Sequence, residues 1–309
     1  MNSRFEIRAA AAAAAALVLA GMPQGAGVAA AQGLGLMQRG GEGPIQINAT
    51  QGIEWHREAL RYIANGDARA RRGEVEIRAD RLIAHYRQTK EGGTEIWRME
   101  AVGGVVIASP TETAQGDRGD YDVDTGIMVL TGRNLKLTTQ TDVLTARDAI
   151  EYHERPRIAF ARGNALGVRG DQRIAADLLK SYMVPTRGEN SALRAKRFEA
   201  TGNVCLDNPS NVARGAWGDY DLDTALAHLE GSVEIQSAQG RLQGDRGEIN
   251  MNTGISRLLP ARTSGSGGAP AGQPSRVHGI MLPGAGDGSA ATQAPQAAAQ
   301  AQVKLRPCR

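Results

Sequence analysis

The segment from Met99 to Thr125 returns, 99 residues later, as the segment from Phe198 to Thr224. Glu100, Ala101 and Gly103 fall on Glu199, Ala200 and Gly202, and Ala114 and Gly116 fall on Ala213 and Gly215. Gly119, Asp120, Tyr121, Asp122, Asp124 and Thr125 then fall on Gly218, Asp219, Tyr220, Asp221, Asp223 and Thr224. Further upstream the offset is 97, and Ile53, Glu54, Ala64, Gly66, Ala68, Ala79, Asp80 and Leu82 fall on Ile150, Glu151, Ala161, Gly163, Ala165, Ala176, Asp177 and Leu179. The two copies run over about 49–147 and 146–253. Within each, a glycine opens an alternating run, at Gly66, Gly103, Gly132, Gly163, Gly202 and Gly231, with spacings of roughly 29 to 39 residues. Repetition at that length implies stacked units, each burying its apolar face only against its neighbours.

Inside the units apolar residues recur at every second position: Ile45 and Ile47; Val75, Ile77 and Ala79; Trp97, Met99 and Ala101; Val105 and Ile107; Leu135 and Leu137; Val204 and Leu206; Val233 and Ile235; Ile249 and Met251. That is the period of a strand, and no comparable 3.6-residue stripe follows Ala31. Asp124, Thr125, Gly126 and Asn252, Thr253, Gly254 suit tight hairpins, with an Asp or Asn capping its own backbone and a Gly at positive φ. The fold class is therefore all-β, and many short strands at this spacing allow a sandwich, a jelly roll or a β-solenoid.

The ends have a different character. Arg4 and Arg8 precede an apolar run from Ala9 to Ala20 that is too short to span a bilayer, and Ala29 and Ala31 fit an A-x-A cleavage site. These features predict a signal peptide over 1–31, a flexible segment over 32–43 and a soluble exported chain. After a folded body over 44–259, residues 260–309 turn to Gly, Ala, Pro and Gln and predict a disordered tail. Two cysteines rule out a disulfide-rich scaffold, and whether Cys205 in the body pairs with Cys308 in the tail stays open. The pI near 9.0 comes from the basic ends. Between them acids and bases are nearly balanced and finely interspersed, without the basic patch that nucleic acid requires.

The run Ile45, Gln46, Ile47, Asn48, Ala49, then Gly52, Ile53, Glu54, Trp55, then Ala64, Asn65, Gly66, Asp67, Ala68, then Ala79, Asp80, Arg81, Leu82, Ala84, Tyr86 resembles the OstA-like domain of the LptA family. So do Ala161, Arg162, Gly163, Asn164, Ala165 and Gly202, Asn203, Val204, and the similarity covers about Pro44 to Leu258. The resemblance implies an open, repeated β-jelly roll in the periplasm, carrying lipopolysaccharide between membranes with its lipid A chains held in the interior. On that reading the lining comes from one parity of the strands: Val75, Ile77, Trp97, Met99, Val105, Ile107, Leu135, Leu137, Val204, Leu206, Val233 and Ile235, with Val106 and Cys205 facing away. It further implies docking by strand edges. Ile45, Gln46, Ile47, Asn48 and Ala49 would meet an inner-membrane LptC-like partner. Glu248, Ile249, Asn250 and Met251 would meet the next copy in a head-to-tail chain or an outer-membrane LptD-like partner.

No residue set argues for an enzyme, a cofactor or a metal. Asp124, Thr125, Gly126 spells the aspartic-protease triplet, but its counterparts Asp223, Thr224, Ala225 and Asn252, Thr253, Gly254 do not keep it. Asp120, Asp122 and Asp124, like Asp219, Asp221 and Asp223, alternate along a strand and read as a solvated face rather than a calcium loop. The five histidines match no nucleophile motif. The alternative from another class is a structural or adhesive envelope solenoid without lipid cargo.

Overall fold

The structure, a computed structural model, describes residues 45–90, 92–110, 112–139, 142–185, 193–209, 211–238, 240–253, 255–260, 277–281 and 308. The signal-peptide expectation, the segment 32–43 and most of the C-terminal tail lie outside these residues. Among the described residues there are eighteen strands and no helix. The first copy supplies β1 (Gln46–Asn48), β2 (Ile53–His56), β3 (Arg61–Arg72), β4 (Val75–Gln88), β5 (Thr94–Ala108), β6 (Glu112–Asp122), β7 (Ile127–Thr131) and β8 (Leu135–Thr139). The second supplies β9 (Asp142–Ala146), β10 (Ala149–His153), β11 (Ile158–Arg169), β12 (Gln172–Pro185), β13 (Leu193–Asp207), β14 (Asn211–Asp221) and β15 (Leu226–Ser237). β16 (Gly240–Asn250), β17 (Ser256–Leu259) and β18 (His278–Met281) complete the order.

All pairings are antiparallel and nearly all join neighbours in sequence, so the chain is one long meander. Each long strand serves two leaves. The first half of β3 pairs with β2 and its second half with β1, and β6 divides itself in the same way between β7 and β8. β11 pairs with β10 and β9, and β16 with β17 and β18. The result is two leaves joined along a crease, the open jelly roll that the family resemblance implied.

The crease explains the periodic glycines. Register shifts fall at Asn65/Ala68, Val102/Val105, Arg162/Ala165, Thr201/Val204 and Glu230/Val233, where one strand passes from leaf to leaf. Gly103 and Gly202 sit there at φ of +83° and +76°, a region that costs a side chain dearly. A Cβ at Gly103 would stand 2.1 Å from Asp80 Oδ2, and one at Gly202 would stand 2.3 Å from Asp177 Oδ2. The repeated Gly and Asp are thus one device, a carboxylate occupying the space over a glycine.

Between the leaves lie two apolar clusters. One, centred on the first copy, gathers residues such as Ile77, Leu82, Met99, Val105, Tyr121, Met128 and Leu130, with Tyr152 of the second copy joining it. The other, in the second copy, gathers Ala161, Leu179, Ala200, Val204, Ala227, Leu229, Val233 and Ile235. The outer face carries ion pairs in both copies: Arg98 to Asp120 at 2.8 Å recurs as Arg197 to Asp219, while Glu100 is paired with Arg118 at 2.8 Å and its counterpart Glu199 with Lys180 at 2.8 Å.

The hairpin turns form as expected, but the cap lies two residues earlier. Asp122 Oδ1 accepts hydrogen bonds from the Thr125 amide and hydroxyl, Asp221 Oδ1 does so from Thr224, and Asn250 Oδ1 accepts from the Asn252 and Thr253 amides. Asp124 instead accepts two hydrogen bonds from Arg87, at 2.7 and 2.9 Å. The Asp-Thr-Gly triplet is a turn. The alternating aspartates are each engaged separately, and no cluster of metal-ligating groups occurs among the described residues.

Two expectations about the C-terminal end need correction. Glu248, Ile249 and Asn250 are not an edge: Glu248 lies between His228 and Arg257, Ile249 lies between Ala227 and Ser256, and the Asn250 amide donates to Ile255. Met251 lies in the turn beyond, its amide donating to Ala225. The chain turns back after them and adds β17, and a second short apolar run adds β18, so the edge moves outward. The tail is also not structureless throughout. In addition to β18, Cys308 forms a disulfide with Cys205 and is buried on the outer face against Ala175, Val212 and Leu166.

Candidate functional site

The space between the leaves is the site, and the duplication allows it to be examined twice. In the first copy Ile77, Leu82, Met99, Ile107, Tyr121 and Met128 enclose a cavity of only about 30 Å³. At the same repeat positions the second copy has Ile174, Leu179, Phe198, Leu206, Tyr220 and Ala227, and these help to line a cavity of about 180 Å³. Met128, 3% exposed, fills space that Ala227 leaves open. A void of that size in a sealed core would cost about 4 kcal/mol, at roughly 24 cal/mol per Å³. An apolar guest would remove that cost on entering.

The polar groups of the two copies differ as well as their interiors. In the first copy, the Tyr121 hydroxyl donates to Glu154 Oε1 at 3.0 Å, and burial with the nearby Glu154 charge raises the Tyr121 pKa. Glu112 is 4% exposed, its Oε1 has no hydrogen-bond partner among the described residues, and burial pushes its pKa up to about 8, so it is mostly protonated at neutral pH. Nearby Tyr152, 7% exposed, is pushed up to about 12, chiefly by burial. In the second copy the cavity lining includes Arg169, Arg173 and Arg194. Arg169 donates to Asp142 at 2.9 Å, and this pairing raises its pKa. Arg194 pairs with Asp223 at 2.8 Å, whereas Arg173 has only Asp207, at 3.8 Å.

The residues expected to line the interior fall in or against these clusters with one exception. Ile77, Met99, Val105, Ile107 and Leu135 belong to the first cluster, with Val75 and Leu137 packed against it. Val204, Val233 and Ile235 belong to the second, with Leu206 packed against it. Trp97 belongs to neither. A bulge between His85 and Tyr86 in the pairing of β4 with β5 leaves Trp97 without a partner and turns it over. Ile96 takes the inward position, and Trp97 packs its ring 5.8 Å from His85 on the outer face. Cys205 also faces away from the trough, as the period of two required, and into the disulfide.

Sequence reading missed Leu144, Ala159, Ile174, Leu179, Phe198 and Tyr220 as lining residues. The offset of 97 would have found Ile174 and Leu179 from Ile77 and Leu82. It also missed the mouth at the start of the stack. Ile53 and Trp55 on β2 are 51% and 52% exposed, while their counterparts Ile150 and Tyr152 on β10 are 3% and 7% exposed. The difference is a neighbour: β10 lies between β7 and β11, and β2 has β3 alone among the described residues. Trp55 is held in place by stacking on Tyr62 at 5.6 Å, by donating to the Tyr86 hydroxyl at 2.8 Å and by the Arg57 guanidinium 4.3 Å above it.

No curated protein matches the chain. Among solved structures it is similar to LptH from Pseudomonas aeruginosa, described as the LptA homologous periplasmic component of the conserved lipopolysaccharide transport device. That match has 13% identity and a TM-score of 0.38, and it covers 47% of this chain and 96% of that one. The family model described as LptA/(LptD N-terminal domain) LPS transport protein matches twice, over residues 46–158 and 147–255. Matched over most of its length by two tandem units, the chain belongs to this family of lipopolysaccharide transport proteins.

Proposed function

We propose that the protein is a periplasmic bridge component that carries lipopolysaccharide toward the outer membrane, holding lipid A acyl chains between its leaves. The observation that carries this reading is the 180 Å³ cavity, walled mainly by apolar side chains, between leaves that are joined along the crease. Sheltering a methylene from water is worth about 0.8 kcal/mol, so a chain of about twelve would cost roughly 10 kcal/mol if left exposed. A long trough is the economical answer to that cost. Purification from envelopes without detergent, followed by mass spectrometry of bound lipid, tests the reading. Lipid A species are expected, and a consistently empty protein would favour the envelope solenoid. Photo-crosslinkers at Val204 and Leu206 should capture the lipid while Val106 does not.

Docking follows from the exposed ends. Ile53 and Trp55 have the sequence of a buried repeat position and, among the described residues, lack the strand that covers it elsewhere, which suits an incoming edge from an inner-membrane LptC-like partner or a preceding copy. β1, paired among the described residues through Gln46 to Arg71, Ile47 to Ala70 and Asn48 to Arg69, offers the matching edge of the other leaf. β17 and β18 take the role first assigned to Glu248 through Met251, facing the next copy or an LptD-like partner. A proline scan across Gln46, Ile47 and Asn48 should weaken partner binding at alternate positions, because alternate N–H groups point outward. Uniform tolerance would remove β1 from the interface.

A further inference from the structure

The last strand of the stack is split more widely than the others. Where β1 passes to β2, β7 to β8 and β9 to β10 opposite one long partner, only residues 49–52, 132–134 and 147–148 intervene. β17 and β18 are likewise two halves of one strand opposite β16, with Ile249 against Ser256 and Arg246 against Leu259, then Gln243 against His278 and Gly240 against Met281. Between these halves stand residues 260–277. The tail returns to finish a strand that the chain had left at the crease.

One leaf runs from β1 through β8 and β9 to β18, and the other from β2 through β7 and β10 to β17. With β18 in place both leaves end level. Without it one leaf would stop at β16, a strand spacing of about 4.8 Å behind the other. Followed through the antiparallel pairings, β17 runs opposite to β2 and β18 opposite to β1, so a second copy stacked in the same orientation continues both leaves antiparallel. The same copy meeting β16 in place of β18 would find a parallel and recessed edge. The exposed large apolar side chains of the described residues gather at these two ends, with Ile53, Trp55 and Leu60 at one and Ile255, Val277 and Ile280 at the other.

β18 is held lightly by its own contacts. None of its described side chains joins an apolar cluster, whereas Ile47 of β1 and Leu258 of β17 pack against theirs. Its connection through residues 260–277 also costs more closure entropy than the short crossings elsewhere. The disulfide supplies a second tie. Cys205, Arg214, Glu234, Gln243 and His278 form one row of paired positions across a leaf, so Cys308 is fastened to the leaf that β18 completes, four strand spacings or roughly 19 Å away. With both sides of β18 tied, its departure gains less chain entropy.

We propose that the disulfide-tied tail is an assembly device, in which β18 supplies half of the outgoing edge that receives β1 and β2 of a second copy and the Cys205–Cys308 bond keeps that half in place. The proposal rests on the reading that the protein docks by its strand edges, and it adds the segment and the covalent bond on which one leaf's docking depends.

Sedimentation velocity of the purified full chain over a range of concentrations tests the proposal. The unmodified protein should form oligomers that grow with concentration, because contact between unlike ends does not close on itself. Gly279→Pro combined with Ile280→Pro removes two successive N–H groups from β18, one facing β16 and one facing outward, and should raise the dissociation constant about tenfold. Cys205→Ser combined with Cys308→Ser should raise it in the same direction. In that serine variant deuterium exchange should accelerate over Gly240 to Gln243 and stay unchanged over Arg246 to Ile249, a local effect that general destabilisation would not produce. Circular dichroism establishes that each variant is folded, and the exchange comparison carries the test if the proline variant is not. Unchanged association of a folded proline variant would overturn the proposal while leaving docking through β17 intact. Unchanged association and exchange in the serine variant would overturn the part given to the disulfide. An unmodified protein that stays monomeric at every concentration would remove the second copy as occupant and overturn the proposal, and the proline scan of β1 against an LptC-like partner then decides the docking reading separately.

Discussion

The two copies of the unit share their crease, turns and outer ion pairs, and they diverge in the space between the leaves. Gly103 over Asp80 repeats as Gly202 over Asp177, and the Asp122 turn repeats as the Asp221 turn. Yet Met128 becomes Ala227, and a cavity of about 30 Å³ becomes one of about 180 Å³. What holds a leaf in shape is separable from what fills it. The backbone is specified by glycines, caps and strand pairing, which leaves the interior side chains free to make either a core or a container.

Interior substitutions give the largest expected asymmetry. Met128→Ala opens a hole in a packed cluster and should cost about 2–4 kcal/mol in denaturant unfolding. Ala227→Met enters space that already exists and should cost less than ~1 kcal/mol. Equal costs would mean that the copies are packed alike. The disulfide breaks the comparison in another way, because Cys205 stands where the first copy has Val106. Its sequence separation is 103 residues, and Cys308→Ser should lower stability by about 2–4 kcal/mol, measured against the same variant under reducing conditions, where the difference should vanish.

Glu112 sharpens the contrast through pH. Its folded pKa of about 8 lies above its ordinary value of 4.5. Between these values the folded protein keeps a proton that the unfolded chain has released, so stability is full below the lower value and declines as pH rises toward the upper one, by at most ~1.4 kcal/mol per pH unit. Glu112→Gln should therefore raise the melting temperature at pH 8 and change it little at pH 4. The second copy already has neutral Asn211 there. The smallest effect belongs to the outer face: Arg98→Ala and Arg197→Ala should each cost no more than ~1 kcal/mol, and similarly, because both ion pairs are solvated.

Much of this architecture was legible in the sequence. The duplication, the glycine period and the alternation of Val105 with Ile107 and Val204 with Leu206 specify an all-β stack and the inward parity, because backbone geometry enforces a period of two. Trp97 was misread since a bulge skips one residue and leaves no mark in an alternating pattern. The edge at Glu248 through Met251 was misplaced because β18 returns from beyond a low-complexity stretch that carries no strand signal of its own. The hollow was invisible for a different reason. Ala227 continues the alternation as well as Met128 does, and only their comparison at matched positions, with the leaves in place, exposes the missing volume.

The central claim, that one copy is a core and the other a container, is tested most directly by photo-crosslinkers at the matched positions Leu82 and Leu179, with outward Leu178 as the control, in cells making lipopolysaccharide. Leu82 and Leu179 are both 5% exposed and occupy the same place in their copies, so accessibility does not separate them. The account predicts lipid adducts at Leu179 and background at Leu82 and Leu178. Equal adducts at Leu82 and Leu179, or adducts at Leu82 alone, would contradict it.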